Sequence, residues 1–291
     1  MELKTLQNFL AIAREGNMTK AAGILHVSQP ALSRQIKSLE DELGQKLFTR
    51  HSFHIELTEA GVFLCNQAQD ILSMADKIAE SFHSMNDITG GDLYFGLAES
   101  YQIGFLAEFI KEFKIKYPNL KYHITSGDSE QVLEKLEKGL LDFAAIVESP
   151  DYNKYYVAPF PASDKWVAIV STADELAAKA FLTPTDLIGK PLFCSEQAWE
   201  KDIPRWAGST FSKLHLEGSF RLAYNASLFV QKGLGCLLTF DRLIDTGKDS
   251  GLIAIPLKPY LTSPMFLVWK KQQMLSPIAE RFIADFQRGL V

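Results

Sequence analysis

Apolar residues recur at helical spacing through the first 43 residues and predict three short helices. The apolar face of the first helix consists of Leu3, Leu6, Leu10 and Ala13. Gly16-Asn17 is typical of a helix end, and Asn17 or Thr19 can cap the second helix. The buried face of that second helix consists of Ala21, Ala22 and Leu25. Small alanines allow two helices to approach closely.

The third helix has the strongest local signals. Ser28 is a good N-cap, and Pro30 is tolerated in the first turn. The apolar stripe of the helix consists of Leu32, Ile36, Leu39 and Leu43. Because a turn near His26-Val27 joins the second helix to the third, the pair is predicted to form a helix-turn-helix.

The other face of the third helix has the side chains that DNA recognition needs. Ser33, Arg34 and Lys37 project away from the apolar stripe, and Gln29 lies at the edge of that polar face. Gln can bond an adenine edge, Arg can bond guanine, and the amide N–H groups of a helix start attract phosphate. The acidic cluster Glu40-Asp41-Glu42 lies at the far end of the helix. An ordinary solvated helix face is the alternative interpretation.

The pattern around this helix resembles the LysR-type transcriptional regulators. The residues that resemble the family are Phe9, Thr19-Lys20-Ala21-Ala22, the run Leu25 to Ile36, Leu39-Glu40, Leu43-Gly44, Leu47-Phe48-x-Arg50 and Leu57-Thr58-x-Ala60-Gly61. The resemblance implies a winged helix-turn-helix over residues 1–58 that binds double-stranded promoter DNA. The predicted DNA-binding residues are Thr19, Lys20, Ser28, Gln29, Pro30, Ser33, Arg34, Lys37, Arg50, His51 and His54.

The stretch from Leu47 to Leu57 predicts a two-stranded wing. The resemblance implies that Arg50 and the wing contact the DNA backbone or the minor groove. Basic residues are usual in the family just after that arginine, whereas this chain has His51-Ser52-Phe53-His54. The wing is therefore weakly charged at neutral pH. That departure weakens the expectation of a minor-groove contact, where cations are favoured.

Thr58 can cap a long linker helix that is predicted to end near Ile88. Its apolar residues step alternately by four and three positions: Leu64, Ala68, Ile71, Ala75, Ile78, Phe82 and Met85. A seam this narrow favours one partner helix, so Leu64 to Phe82 are predicted to form a dimer contact. Packing of the seam against the chain's own domain is the alternative. Gly90-Gly91 is predicted to break the helix and act as a hinge.

From Asp92 onward, short apolar strands alternate with amphipathic helices. The order β-α-β-α-β predicts a parallel sheet with helices on both faces, and a second such series starts at Trp166. The capping box Asp128 to Gln131 starts one of the helices. In the family, these series form two Rossmann-like, periplasmic-binding-protein-like α/β subdomains. The resemblance places the crossovers near Pro159–Ser163 and Thr262–Val268.

The predicted architecture is therefore α/β with an N-terminal winged helix-turn-helix. Its parts are the DNA-binding domain 1–58, the linker helix 59–89, and an effector-binding domain 90–291. Subdomain I comprises 90–161 and 268–291, and subdomain II comprises 162–267. This part of the chain matches the family less specifically, and Ala107 stands where a proline is common.

Two facing α/β lobes form a cleft, and ligands in such folds bind at the carboxyl ends of strands. That geometry selects Glu99, Ser100, Tyr101, Ser126, Asp128, Ser195, Glu196 and Thr239 as effector-binding candidates. Each hydroxyl can instead be a helix cap, which is the commoner role. No strand end supplies a clear Arg or Lys to offset Glu99, Asp128 and Glu196. The acidic strand ends therefore favour an amine-bearing or neutral effector over a carboxylate.

Charge alone does not identify DNA as a partner. The net charge is −5, with 30 basic and 35 acidic residues. Residues 1–58 contain seven basic and six acidic residues, so the small positive balance lies in the DNA-binding segment. The 47% content of hydrophobic residues is ordinary for a globular protein. The chain shows neither a signal-peptide pattern nor an apolar run of membrane-spanning length, so we expect a cytoplasmic protein with no membrane partner.

Three alternatives to a ligand-controlled regulator stay open at this point. An enzyme is disfavoured because the α/β region lacks a P-loop, G-x-S-x-G, H-E-x-x-H and a dinucleotide glycine fingerprint. A solute-binding transport protein is disfavoured by the helix-turn-helix and the absent signal peptide. A redox switch would use Cys194, near the cleft, or Cys236. The scattered Cys65, Cys194 and Cys236 predict no structural zinc and no disulfide framework, so we expect neither a metal nor a cofactor. Family resemblance implies a homodimer that pairs into a homotetramer.

Overall fold

The computed structural model describes residues 1–51, 54–84 and 89–289. The described chain forms two compact units, Met1–His83 and Ser84–Val291. The first unit comprises the helix-turn-helix, the wing and the long helix that follows. The second unit comprises the α/β region.

The first unit has four helices and a two-stranded ribbon. In chain order these are α1 (Leu3–Glu15), α2 (Met18–Ile24), α3 (Gln29–Leu43), β1 (Phe48–Arg50), β2 (Ile55–Leu57) and α4 (Glu59–Ser84). The predicted caps are confirmed: the Asn17 side chain accepts from the backbone of Thr19 and Lys20, and Ser28 accepts from Ala31. Gly16 and Gly44 end α1 and α3 in the left-handed conformation, where glycine is favoured.

The three helices pack around one apolar core. Its fully buried members include Leu6, Phe9, Ile12, Leu32, Ile36 and Leu39. Two residues assigned to the apolar faces lie outside this core: Leu3 is 49% exposed and Leu43 is 41% exposed. Both lie in the terminal turn of their helix, beyond the region that the neighbouring helices cover. The centre of the α1 face is Phe9 and Ile12 rather than Leu10 and Ala13.

The long helix α4 begins as predicted, because the Thr58 hydroxyl accepts from the Gly61 amide at 3.0 Å. The prediction that its whole seam meets a partner is wrong for the first two positions. Leu64 and Ala68 are 8% and 0% exposed, and both pack into the apolar core of the first unit. Ile71, Ile78 and Phe82 are 39%, 51% and 68% exposed. Met85 lies outside the described residues.

The second unit has nine strands in one continuous sheet. The strands are β3 (Gly90–Ala98), β4 (Asn119–Gly127), β5 (Phe143–Ile146), β6 (Tyr155–Ser171), β7 (Pro191–Ser195), β8 (His215–Phe220), β9 (Cys236–Phe240), β10 (Leu252–Pro256) and β11 (Thr262–Lys270). The helices are α5 (Ile103–Lys116), α6 (Ser129–Glu137), α7 (Glu196–Glu200), α8 (Asp202–Ala207), α9 (Ala223–Gln231) and α10 (Pro277–Gly289). Three 3₁₀ turns lie at 175–178, 184–187 and 208–213.

Strand β6 joins two lobes. Its first part pairs antiparallel with β11, and its second part pairs with β9 and β10. Lobe I contains the parallel strands β4, β3 and β5, to which β11 adds antiparallel. Lobe II contains β7 paired in parallel with β8 and β9. The predicted parallel series and the crossing near Pro159–Ser163 are therefore confirmed.

Each lobe has its own core. In lobe I, aromatic side chains from the sheet and helices pack around Phe282: Phe95 and Phe113 meet it edge to face, Phe143 is tilted against it, and Phe286 stacks on it. In lobe II, Leu192, Cys194 and Leu238 face one side of the sheet, while Val167, Val230 and Leu237 face the other. Helices cover both faces of these sheets, as the alternation of strands and helices predicts.

Three details of the α/β region differ from the sequence prediction. Gly90 and Gly91 are not a hinge but the start of β3, paired with β4. A Cβ on Gly90 would lie 2.4 Å from the Asn119 carbonyl carbon, so the close strand approach requires glycine there. Strands β8 and β10 were not predicted. The apolar pattern also predicts a helix near Ser227–Lys232, and this helix, α9, starts about one turn earlier, at Ala223.

Candidate functional site

The N-terminal half of α3 forms an exposed polar surface. Gln29, Pro30, Arg34 and Lys37 are exposed, and Ser28, Thr19 and Lys20 beside them are exposed too. Ser33 is half-buried. The opposite side of the helix anchors it, because Leu32 and Ile36 are 0% and 1% exposed. Cations and hydrogen-bonding groups at the start of a rigidly packed helix match the requirements for reading a major groove.

The wing is held to this surface by Glu40, whose role the sequence pattern did not indicate. Glu40 is 7% exposed, and its carboxylate accepts hydrogen bonds from the amides of Leu47 and Phe48 at 2.9 and 3.4 Å. It also accepts a 2.8 Å hydrogen bond from the Lys46 ammonium. Burial raises the pKa of Glu40, but the hydrogen bonds from Lys46, Leu47 and Phe48 outweigh it and hold the pKa below its usual value.

The wing itself is a two-stranded antiparallel ribbon. Thr49 pairs with Glu56 and Arg50 with Ile55 in the antiparallel register. The backbone N–H of Ile55 donates to the Gly16 carbonyl at 2.8 Å, which attaches the wing to the end of α1. His51 and His54 are exposed, and their rings stack at 4.7 Å. Ser52, Phe53 and the Arg50 side chain lie outside the described part of the chain.

In the second unit, a cleft separates the two lobes. A small cavity of about 60 Å³ is lined by the ends of β3, β4 and β9 together with α7 and α8. A larger cavity of about 450 Å³ adjoins it, and the two share Asp128, Ser195, Gln197, Phe220 and Arg221. The larger volume lies in the range of small-molecule sites, about 300–1,000 Å³. Five of the eight effector-binding candidates line these cavities: Glu99, Asp128, Ser195, Glu196 and Thr239.

Three carboxylates of lobe I contact lobe II across this cleft; we call them the inter-lobe contacts. The Ala223 amide, in the first turn of α9, donates to Glu99 Oε2 at 2.7 Å. Arg221 Nη1 lies 2.6 Å from Asp128 Oδ2, and Lys201 Nζ lies 2.6 Å from Glu148 Oε2. No side chain within α9 caps its start, so Glu99 provides an acceptor for that helix from the opposite lobe.

Three candidates lie away from the cavity linings that the structure describes. Ser100 is 7% exposed and donates to the Asp164 carboxylate at 2.5 Å. The Tyr101 ring is half exposed under the Arg242 guanidinium, which lies 4.8 Å from its centroid. Ser126 is exposed at the end of β4. Ser100 lies two residues after the end of β3. Its hydroxyl accepts a hydrogen bond from the Gln102 amide and donates one to Asp164 on β6, so it does not face the cleft.

Arg221 and Lys201 are cleft residues that the sequence did not reveal. Arg221 follows β8, a strand whose polar residues give little apolar signal. Lys201 lies between α7 and α8, in a stretch where the sequence pattern predicts a single helix near Trp199–Trp206. The prediction that no strand end supplies a cation is therefore wrong, because Arg221 follows the end of β8 and pairs with Asp128. The Ser195 hydroxyl accepts a hydrogen bond from the Ala198 amide at 3.3 Å and so caps α7. Ser195 also lines the cleft, so the same residue is a helix cap and a cleft residue.

The two cysteines of lobe II lie inside its core. Cys194 and Cys236 are 0% and 2% exposed. Burial raises the pKa of the Cys194 thiol well above its usual value and that of Cys236 to about 12. Because the thiolate is the reactive form, these environments disfavour a redox switch at either residue.

Comparison with known families decides between the remaining alternatives. Residues 3–62 match the family described as "Bacterial regulatory helix-turn-helix protein, lysR family". Residues 87–290 match the family described as "LysR substrate binding domain". The chain belongs to the LysR family of transcriptional regulators. It is a DNA-binding regulator with an effector-binding domain, and the enzyme alternative is excluded.

The similarity of this LysR regulator to named transcriptional regulators extends over most of both chains. It is 28% identical to YtlI of Bacillus subtilis over 94% of this chain and 89% of that protein. It is 25% identical to the transcriptional activator CmpR of Synechocystis over 97% and 93% of the two chains. The crystal structure of CbnR has the same fold, with a TM-score of 0.78, 20% identity and full coverage of both chains.

Among the described helices of this LysR regulator, none combines the length and the apolar character needed to cross a bilayer.

Proposed function

We propose that α3 of this LysR regulator is the recognition helix and that Gln29, Ser33, Arg34 and Lys37 contact promoter DNA. The observation that supports this is the exposure of Gln29, Arg34 and Lys37 on a helix anchored by the fully buried Leu32. Arginine bonds guanine bidentately, and such a pair is worth about 1–3 kcal/mol of discrimination between bases. Lysine and the helix start contact phosphate and set the register of the helix.

Substitution of Arg34 tests this proposal. Arg34→Ala is expected to lower affinity for the regulator's own upstream intergenic DNA at least about tenfold, corresponding to the lost base contact. The matched control is Arg14→Ala, because Arg14 is a 70% exposed arginine at the end of α1, off the proposed surface. Fluorescence anisotropy with labelled duplex gives both affinities, and circular dichroism checks the fold. Equal affinity of both variants and the wild type would contradict the assignment of α3.

We further propose that the effector binds in the inter-lobe cleft and acts by replacing the inter-lobe contacts. Two of them are exposed ion pairs, which are worth about 0.2–1 kcal/mol each. The Glu99 contact is a charge-assisted hydrogen bond, worth about 1.5–3 kcal/mol. A ligand with micromolar affinity has about 8 kcal/mol of binding free energy, enough to replace all three. The effector must bind the two lobe arrangements unequally to shift their populations.

The charge of the cleft favours an amine-bearing or neutral effector. Among the described lining residues, Glu99, Asp128, Glu130, Glu148, Glu196, Glu200 and Asp202 are acidic. The cationic lining residues are Lys201 and Arg221, and each is paired with a carboxylate of the opposite lobe. The start of α9, a position that could bind an anion, already bonds Glu99. A carboxylate effector would have to displace a carboxylate of the protein at each of these positions.

We also propose a homodimer that pairs into a homotetramer and works in the cytoplasm. The exposed side chains of Ile71, Ile78 and Phe82 support a dimer contact along the second half of α4. A dimer places two recognition helices on two half-sites. Effector binding would then change the spacing of those helices. No cofactor beyond the effector is proposed for this function.

A further inference from the structure

The wing brings two histidines and one carboxylate to the same face of a β-ribbon. His51 and His54 flank the turn, where the His51 amide donates to the His54 carbonyl oxygen at 2.9 Å. Their rings stack with 16° between the planes. Glu56 lies on β2, two residues after His54, and its carboxylate contacts both histidine rings. The pairing of β1 with β2, together with the His51–His54 backbone hydrogen bond just beyond it, therefore places these three side chains together.

The spacing of the donor atoms fits a transition-metal ion. His54 Nε2 lies 2.9 Å from Glu56 Oε1, and His51 Nε2 lies 3.5 Å from Glu56 Oε2. One donor atom from each residue lies within 4.8 Å of the other two. Tetrahedral zinc with bond lengths of about 2.0–2.2 Å has neighbouring donors about 3.3 Å apart. The observed distances lie on either side of that value, so small rotations of exposed side chains would admit an ion.

We propose that His51, His54 and Glu56 form a binding site for a divalent zinc-class ion on the wing. Imidazole and carboxylate are ordinary zinc ligands, and three of them leave a fourth position for water or a phosphate oxygen. The cysteine spacing predicts no metal site, and His51, His54 and Glu56 match no familiar ligand motif. Only the pairing of β1 with β2 brings them together.

The ion would change the charge of the wing. With neutral histidines the three residues have a charge of −1, from Glu56, and a divalent ion makes it +1. The wing is the segment where this chain lacks the basic residues that are usual in the family. A bound ion would therefore supply positive charge toward phosphate, where each neutralised phosphate strengthens binding. This second step rests on the proposed function, in which the wing meets DNA.

Titration of Zn²⁺ into the full-length protein, followed by calorimetry, tests the site without DNA. We expect one more ion per chain in the wild type than in His51→Gln or His54→Gln, or at least about tenfold weaker binding in those variants, since even second-shell losses cost 10- to 100-fold. The matched control is His215→Gln. His215 lies 3.1 Å from Glu217 on β8 but belongs to no described three-residue donor group. Identical titrations of all four proteins would overturn the site.

Binding of a duplex of arbitrary sequence, with Zn²⁺ or with a chelator, tests the charge change. Zinc is expected to raise the affinity of the wild type and of His215→Gln about three- to tenfold, and to leave that of His54→Gln unchanged. If the calorimetry shows the wing site and the DNA affinity does not respond, the charge role is overturned. Failure of the proposed function would instead appear as loss of DNA binding by every protein, with the zinc titrations unaffected.

Discussion

At the scale of single residues, the functional surfaces depend on carboxylates that accept backbone hydrogen bonds from outside their own element. Glu40 accepts from the strand that follows it, and Glu99 accepts from a helix of the other lobe. Neither role has a sequence signature of its own, because Glu40 bonds residues seven and eight positions later, past the end of its helix, and Glu99 bonds a residue 124 positions later. The sequence places the acidic cluster at the far end of α3, whereas the hydrogen bonds of Glu40 show that one of its members holds the wing.

Substitution of Glu40 is expected to destabilise the first unit in a pH-dependent way. Its pKa is lowered in the folded state, so the ionised carboxylate stabilises the fold above the unfolded pKa, near about 4.3. That stabilisation is lost as the pH falls through the lower folded value. Glu40→Gln should therefore cost about 1–3 kcal/mol at pH 7 and much less near pH 3. Denaturant unfolding at both pH values measures this, and an equal cost at both would contradict the assigned role.

Removal of the Glu99 carboxylate is expected to loosen the start of α9. Without an acceptor from lobe I, the Ala223 amide of Glu99→Ala should exchange with solvent at least about tenfold faster, because the lost charge-assisted bond is worth about 1.5–3 kcal/mol. Hydrogen exchange followed at residues 223–226 measures this. Glu108→Ala is the matched control, since Glu108 pairs with Lys111 on the exposed side of α5. Unchanged exchange in α9 would show that the inter-lobe contact does not hold the helix.

At the scale of elements, apolar periodicity predicted most helices and strands because each buries one face. The sequence prediction fails where the apolar face of an element is short or where its partner is not defined by the pattern. Strand β8 alternates exposed and half-buried residues, and its half-buried face has only Leu216 and Phe220 as large apolar side chains, which is too short a pattern to detect. The seam of α4 shows one heptad pattern along its length, yet Leu64 and Ala68 pack within the first unit and Ile78 and Phe82 do not. A heptad pattern gives the buried face of a helix but not the partner that covers it.

The second half of that seam is predicted to hold the dimer together. Ile78→Asp places a charge where an apolar contact is proposed, and we expect the dissociation constant of the dimer to rise at least about 100-fold, since burying an unpaired charge costs several kcal/mol. Analytical ultracentrifugation measures it. Tyr260→Asp is the control, because Tyr260 is a 77% exposed aromatic residue elsewhere. If the Ile78→Asp protein stays dimeric, the dimer interface does not lie on this part of α4.

At the scale of the whole molecule, a DNA-binding unit and a ligand-binding unit are present in one chain. The family resemblance in the N-terminal segment predicts this arrangement, and the matches to both LysR domains confirm it. The cleft was predictable only in outline. Strand ends selected Glu99, Asp128 and Thr239, which line the small cavity, whereas Arg221 and Lys201 became visible once the packing of the lobes was known. The proposed preference for an amine-bearing or neutral effector rests on those pairings and not on any motif.

The most direct measurement of ligand-controlled DNA binding uses the wild-type protein and its own upstream intergenic DNA. Affinity is measured across a salt series, with and without a panel of small amines and carboxylates. We expect specific binding that weakens steeply with salt, as phosphate contacts require, and a change of at least about tenfold in affinity with one amine and with no carboxylate. Specific binding that only a carboxylate alters would contradict the proposed charge of the cleft. Absence of specific binding at low salt would contradict the regulator mechanism itself.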